Sequence, residues 1–148
     1  MTGLLQRAGR VLLVASRYPN QPAPLWNLPG GRQRHGELLH EALRREFLEE
    51  TGLEAQVEEL VYISESYDRA SGEHFLNATF AVRANGEARL TGTDAHVVDL
   101  AWLSPAEISE RLSVAVVREP LLAALRGDPR RYFVFADAGI TIEFADPA

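Results

Sequence analysis

The chain has 148 residues, of which 46% are hydrophobic and 24% charged, and its formal net charge is −6. This length and composition predict one globular domain spanning residues 1–148. The acidic charge argues against duplex nucleic acid as a partner, and the absence of cysteine excludes disulfides, zinc thiolates and a thiol nucleophile. Because no apolar run reaches the length of a membrane span and no signal peptide is recognisable, we expect a cytoplasmic protein without a membrane partner.

The N-terminal half of the sequence predicts short strands followed by one long helix. The apolar run VLLVA indicates a buried strand, and the proline-containing segment 18–24 indicates a loop. Pro29, Gly30 and Gly31 allow a sharp turn before the helix, and Gly52 is a suitable stop after it. The predicted elements are strands over Gly3–Gln6, Arg10–Ser16 and Leu25–Leu28 and a helix from about Gly36 to Thr51.

The C-terminal half predicts further strands, two helices and a final hairpin. Ser104, Pro105 and Glu107 form a helix start, with serine as the cap, proline at the first position and glutamate completing a capping box. The elements are strands over Ala55–Tyr67, Glu73–Arg83 and His96–Leu103, helices from Pro105 and near Glu119–Leu125, and a hairpin at about 131–145 that pairs Tyr132–Ala136 with Ile140–Phe144. Together they predict an α/β (α+β) sandwich with a mixed central sheet. The hairpin either caps a sheet edge or forms a dimer contact.

The long helix is predicted to carry carboxylates in its last turns. Leu39, Leu43, Glu46 and Glu50 are spaced i, i+4, i+7 and i+11, so one stripe starts apolar and ends acidic, with Glu49 beside it. The helix dipole is negative there and the glutamates repel one another, at a cost of about 0.3–1 kcal/mol for each effect. Either these acids form a solvated face with ion pairs to nearby arginines, or a hard divalent cation binds their oxygens.

The spacing across residues 31–53 resembles a known family motif. It fits the Nudix box, G-x5-E-x7-R-E-U-x-E-E-x-G-U with U apolar, at all of its specified positions: Gly31, Glu37, Arg45, Glu46, Phe47, Glu49, Glu50, Gly52 and Leu53. The segment 25–31 is also similar to the family's approach to the box. The sequence therefore resembles a Nudix hydrolase of the MutT-like type.

The resemblance implies a fold and a metal site. The fold would be the family's α/β/α sandwich, with the box helix packed on the sheet and the C-terminal hairpin as an addition. By this resemblance Glu49 and Glu50 are metal ligands, and Glu46 is either a ligand or the base that deprotonates water. The carbonyl of Gly31 would be a further ligand. The expected cofactor is Mg²⁺, with Mn²⁺ as the alternative.

Other residues have expected roles around this site. By the same resemblance, Arg45 belongs to the catalytic set and pairs with Glu37 to orient the glutamates, while Gly52 is structural. Asp94 lies where many relatives carry a late acidic ligand or base, although it is equally suited to a plain turn. The remaining candidates are Arg17 and Arg32 for phosphate, Glu73 and His74 as rivals of Asp94, and Tyr18, Tyr67 and Phe75 for stacking on a base.

The implied reaction is metal-dependent attack of water on phosphorus, which cleaves a diphosphate linkage in a nucleoside diphosphate derivative. Signatures of several Nudix subfamilies are absent, so nucleoside triphosphates and nucleoside diphosphate sugars both stay open as substrates. The alternative is a non-catalytic Nudix-fold nucleotide sensor or protein-interaction module. The complete set of box carboxylates favours the enzyme. A homodimer is the first candidate for the assembly.

Overall fold

A computed structural model describes residues 1–137, and the bounds below refer to that part of the chain. Its strands are β1 (Thr2–Leu4), β2 (Gln6–Arg7), β3 (Arg10–Ser16), β4 (Leu25–Asn27), β5 (Gln56–Tyr67), β6 (His74–Arg83), β7 (Val97–Leu103) and β8 (Tyr132–Ala136). Its helices are α1 (Leu39–Thr51), α2 (Pro105–Arg111) and α3 (Ala115–Leu125). None of these helices is long and apolar enough to cross a membrane.

The strands form two sheets. One has the order β1-β6-β5-β8 and is mixed, because β5 and β6 are antiparallel whereas β1 runs parallel to β6 and β8 runs parallel to β5. In the other sheet β3 pairs in antiparallel fashion with β2, β4 and β7. The predicted mixed sheet is therefore confirmed, and the second, antiparallel sheet is an addition to that prediction.

The helices cover both sides of the strands, which confirms the expected α/β/α sandwich. Successive residues of β3 point to opposite faces, as the strand period requires. Leu12 packs with Leu43 and Phe47 of α1, whereas Leu13 packs with Ile108 of α2 and Leu121 of α3. This central strand anchors the box helix on one side and the later helices on the other.

The box helix begins three residues later than predicted. It starts at Leu39 instead of Gly36, and the backbone at Gly36 has a left-handed φ of 86° that a helix excludes. The Leu38 N–H donates to the Glu41 carboxylate at 2.8 Å, which satisfies one of the free donors at the start of the helix. The predicted end is confirmed, since left-handed Gly52 donates its N–H to the Leu48 carbonyl at 2.9 Å.

The last helix is longer than predicted. It begins at Ala115 instead of Glu119, so that Pro120 lies inside the helix and not at its start. Proline inside a helix removes a hydrogen bond and costs about 3 kcal/mol. Val117 and Leu121 pack against the core shared with α2, and this burial offsets the cost.

The C-terminal hairpin is only partly within the described residues. Its first strand, Tyr132–Ala136, is β8 and covers the edge of β5, with Tyr132 in register with Ile63. The second predicted strand, Ile140–Phe144, lies outside the described residues. The edge-capping role is thus observed for β8, and the dimer contact stays a prediction.

Candidate active site

The box loop reaches the helix at a point of very close approach. A Cβ on Gly31 would lie 2.5 Å from the carboxylate carbon of Glu46, so only glycine leaves that carboxylate in place. The Gly31 N–H donates to the Met1 carbonyl at 3.0 Å, and the terminal ammonium of Met1 donates to the Gly31 carbonyl at 2.9 Å. The loop is therefore fastened to the start of the chain, and the carbonyl expected as a metal ligand has a protein partner in this structure.

Three acidic side chains converge beside this loop. One carboxylate oxygen from each of Glu46, Glu50 and Asp94 lies within 4.8 Å of the others. Asp94 also accepts a hydrogen bond from the His96 N–H at 2.9 Å, so it shapes the turn before β7 as well as facing the glutamates. The sequence offered Asp94 as a late acidic ligand or base, as a substrate contact or as a plain turn residue, and the structure places it in the acidic cluster. This cluster, defined by the three residues, is called the carboxylate cluster below.

Burial changes the protonation of the carboxylate cluster. Burial, together with the nearby negative charges of Glu46 and Asp94, raises the pKa of Glu50 to about 9, although the Gly30 N–H donates to this carboxylate at 3.2 Å and lowers the pKa. Burial also raises the pKa of Glu46 above its ordinary value, more than its hydrogen bond from Arg45 lowers it. A compensating cation would favour the charged form of both side chains.

Arg45 connects the box loop to the helix. Its guanidinium holds Glu37 in a bidentate pair, with Nε–Oε1 and Nη2–Oε2 distances of 2.6 and 3.0 Å. It also donates to Glu46 Oε1 at 2.9 Å and to the Arg32 carbonyl at 3.1 Å. Because Arg45 contacts Glu46 from one side, it limits where that carboxylate can point.

Glu49 lies beside the carboxylate cluster and pairs with arginines. Its carboxylate lies 3.5 Å from the Arg45 guanidinium and 3.9 Å from that of Arg34. The same Arg45 nitrogen, Nη1, also contacts Glu46, so Glu49 is a neighbour of the cluster, whereas the box resemblance gives Glu49 and Glu50 equal weight as ligands. The assignment of Glu49 to a metal stays a prediction.

The Glu37–Arg45 pair predicts a loss of stability in acid. Hydrogen bonds from Arg45 and from the Arg34 N–H lower the pKa of Glu37 from 4.5 to about 2. A lowered carboxyl pKa stabilises the fold fully above about pH 4.5, and this stabilisation is lost as the pH falls towards 2. We expect Glu37→Gln to lower Tm by several degrees at pH 7. The difference in Tm between the variant and the wild type should become smaller between pH 4.5 and 3.

Thermal unfolding across this pH range measures the effect. Glu59→Gln is the control, since Glu59 is exposed and remote from the box. A gap for Glu37→Gln that stays constant down to pH 3 would show that the charge of Glu37 contributes nothing to the fold.

A cleft of about 540 Å³ opens from the carboxylate cluster across the mixed sheet. Pockets for small ligands commonly have this size. Its lining includes these candidates from the sequence: Arg17, Tyr18, Arg32, Tyr67, Glu73 and Phe75. His74 instead forms a hydrogen bond with Glu65 at 2.6 Å.

The floor of the cleft also includes residues that the sequence did not indicate, namely Thr2, Tyr62, Ser64 and Asn77. Polar residues alternating with apolar ones in a strand usually indicate a solvated face, and only the fold shows that Thr2 and Ser64 are buried.

An α/β/α sandwich whose box helix directs carboxylates into a cleft is the arrangement that the Nudix resemblance implies. The sequence matches the family model described as NUDIX domain over residues 2–125. The chain belongs to the Nudix hydrolase family.

Curated relatives agree with this assignment. The chain is 33% identical over 105 residues to a protein of Bacillus subtilis named putative 8-oxo-dGTP diphosphatase, in an alignment covering 71% of this chain and 64% of that protein. It is 30% identical over 125 residues to the CTP pyrophosphohydrolase of Escherichia coli, covering 84% of this chain and 87% of the relative. Among solved structures, a NUDIX hydrolase from Nitrosomonas europaea superposes with a TM-score of 0.74 at 26% identity, covering 88% of both chains.

Proposed function

We propose that this protein hydrolyses a diphosphate linkage in a nucleotide with the help of Mg²⁺ or Mn²⁺. The observation that carries the proposal is the convergence of Glu46, Glu50 and Asp94 within 4.8 Å at one end of the cleft. Oxygen ligands of this kind suit hard divalent cations, which commonly bind a few carboxylates together with substrate phosphates. A bound cation neutralises the acids that burial otherwise penalises.

Each residue of the cluster has a role in this proposal. Glu46, Glu50 and Asp94 hold the cation, and Glu49 joins them if it leaves Arg45. When bound, the cation would acidify water and screen the charge of the phosphate. Arg45 fixes the orientation of Glu46 through the 2.9 Å contact, and the Gly30 N–H fixes that of Glu50.

Two further assignments concern water and phosphate. Glu46 has a pKa raised by burial, which suits a group that accepts a proton from the attacking water, so ligand and base are both retained as its role. Arg17 and Arg32 line the cleft near the carboxylates and supply positive charge for the phosphates.

Nucleoside triphosphates are the first substrate class to test. The names of the Bacillus subtilis and Escherichia coli relatives refer to nucleoside triphosphates, and a cleft of about 540 Å³ accommodates a nucleotide. Nucleoside diphosphate sugars form the second class.

A panel of nucleotides tests the proposal directly. Each nucleoside triphosphate and nucleoside diphosphate sugar is incubated with Mg²⁺, with Mn²⁺ or with EDTA, and the products are separated by ion-exchange chromatography. We expect cleavage of a diphosphate linkage with either cation and none in EDTA. Turnover that is undiminished in EDTA would exclude metal dependence. Binding without any turnover across the panel would favour the sensor over the enzyme.

A further inference from the structure

A buried network of hydroxyl groups lies under the cleft, and the proposed reaction at phosphorus does not use it. Thr2 of β1 and Thr79 of β6 are buried, and their hydroxyls are 2.8 Å apart. Tyr62 of β5 is also buried and is in register with Thr79. Buried polar groups are costly unless they are paired, so the network holds these side chains in fixed positions.

Asn77 is the member of this network that faces the cleft. Its Nδ2 donates to the hydroxyl of Thr2 at 3.1 Å and to that of Thr79 at 3.0 Å. The NH₂ group of the amide therefore faces the two threonine hydroxyls. Within residues 1–137 no donor reaches its carbonyl oxygen Oδ1, and the side chain lines the cleft. A free acceptor thus remains at the cleft floor.

A count of hydrogens supports this orientation of the amide. The Thr2–Thr79 bond uses one of the two hydroxyl hydrogens, so only one hydrogen remains for the two contacts with Asn77. If the carbonyl of Asn77 faced the threonines, at least one of its two contacts would lack a hydrogen. With the NH₂ group facing them, both contacts have one. The network therefore selects Oδ1 as the group presented to a ligand.

Ser64 extends this acceptor into a small recognition patch. It is buried, it lines the cleft, and it is directly opposite Asn77 in the β5–β6 register. Directly opposed side chains of antiparallel strands have Cβ atoms about 4.5–5.5 Å apart. In the described part of the chain the Ser64 hydroxyl has no hydrogen-bond partner, so it can donate to or accept from the ligand that meets Asn77.

The patch and the carboxylate cluster line the same cleft. Thr2 forms a bridge with Gly30, whose N–H binds Glu50, so this end of the floor adjoins the cluster. The Asn77 amide lies against the hydroxyls of Thr2 and Thr79, so the patch continues the cleft floor from that end. A nucleotide with its phosphates at the carboxylates would extend along this floor and bring its base to the patch.

We propose that Asn77 Oδ1, with the Ser64 hydroxyl beside it, selects nucleotides whose base offers an N–H donor. This inference rests on the proposed function, because it requires a nucleotide in the cleft. A base whose edge has only ring-nitrogen acceptors would leave Oδ1 facing a lone pair, and sites built to bond a substrate N–H discriminate strongly against analogues without one. The preferred class is therefore bases with an amino or imino N–H, which include guanine, adenine, cytosine, uracil and thymine, over analogues whose edge has only ring-nitrogen acceptors.

Matched pairs of nucleotides test the proposal. Adenosine and purine riboside triphosphates differ only in the exocyclic amine, as do the triphosphates of cytidine and of its 4-deamino analogue, pyrimidin-2-one riboside. For the wild type we expect kcat/KM to favour the N–H-bearing member of at least one pair by roughly 10- to 100-fold. In Asn77→Ala the ratio should fall to within about threefold, and in Ser64→Ala it should fall less. Asn85→Ala is the matched control, since Asn85 is exposed in the turn after β6.

Binding of the corresponding nucleoside monophosphates, measured by calorimetry, separates this inference from the proposed function. If no nucleotide is hydrolysed but the binding preference depends on Asn77, the proposed function fails and the base-reading role stands. If hydrolysis occurs but the wild type treats both members of each pair alike, or Asn77→Ala keeps the full preference while remaining folded, the base-reading role is overturned. Should Asn77→Ala fail to fold, Ser64→Ala decides: an unchanged preference overturns the proposal, and a reduced one supports it.

Discussion

Substituting Glu50 by glutamine is expected to lower kcat by roughly 100- to 1,000-fold, the effect of removing several kcal/mol of electrostatic stabilisation by a cation. Glutamine keeps the size of the side chain and can still accept the hydrogen bond from Gly30 N–H, so the fold should persist. Glu46→Gln and Asp94→Asn should give losses of similar size, because the three side chains converge on one point. Steady-state kinetics with saturating Mg²⁺ measures these losses.

Glu49 and Glu54 complete this series. Glu49→Gln should cost less than Glu50→Gln, because Glu49 pairs with Arg45 and Arg34 and is not among the three acids that lie within 4.8 Å of one another. Glu54→Gln, one residue beyond the box and exposed, should behave as the wild type. Wild-type rates in both Glu50→Gln and Asp94→Asn would refute the assignment of the carboxylate cluster.

The second large effect concerns stability in the absence of metal. Because burial raises the pKa of Glu50 from 4.5 to about 9, folding takes up a proton between these values. The sign follows directly: the metal-free protein should lose stability as the pH rises from about 4.5 towards 9. Glu50→Gln has no such titration, so in EDTA its Tm should fall less over this range. At pH 8 the variant should therefore be the more stable protein.

A divalent cation should reverse this order. At concentrations near 100 times its Kd, Mg²⁺ or Mn²⁺ would stabilise the wild type by about 2.7 kcal/mol, which corresponds to roughly 5–10 °C in Tm. Glu50→Gln should show a much smaller increase. Differential scanning calorimetry from pH 5 to 9, with EDTA or cation, measures both effects. Parallel pH profiles for the two proteins in EDTA would contradict the burial of an ionisable group at this position.

Local sequence signals predicted the box helix well and its first turn poorly. The apolar spacing and Gly52 identified the helix and its end, and these depend only on residues within a few turns of one another. The start was misplaced because Glu37 pairs with Arg45, eight positions later in the sequence, and the left-handed Gly36 lies between loop and helix. Likewise, α3 starts four residues before the predicted Glu119, because the burial of its side chains offsets the cost of Pro120 inside the helix.

The candidate site was predictable where it lies in one segment and not where the fold assembles it. Glu46 and Glu50 follow from the box, but Asp94 reaches them only because the turn before β7 lies beside α1. The floor of the cleft is even harder to predict from the sequence. Thr2 and Asn77 are 75 residues apart in the sequence, and their contact depends on β1 pairing with β6. No local pattern carries that information.

The absence of a side chain at Gly31 limits the substitutions that this position allows. A single methyl group there would occupy the space that the Glu46 carboxylate needs. Even alanine, which alters neither charge nor hydrogen-bonding capacity, would displace the Glu46 carboxylate although Glu46 itself is unchanged. One added carbon atom at this position would therefore change the acidic site while leaving every glutamate of the box in the sequence.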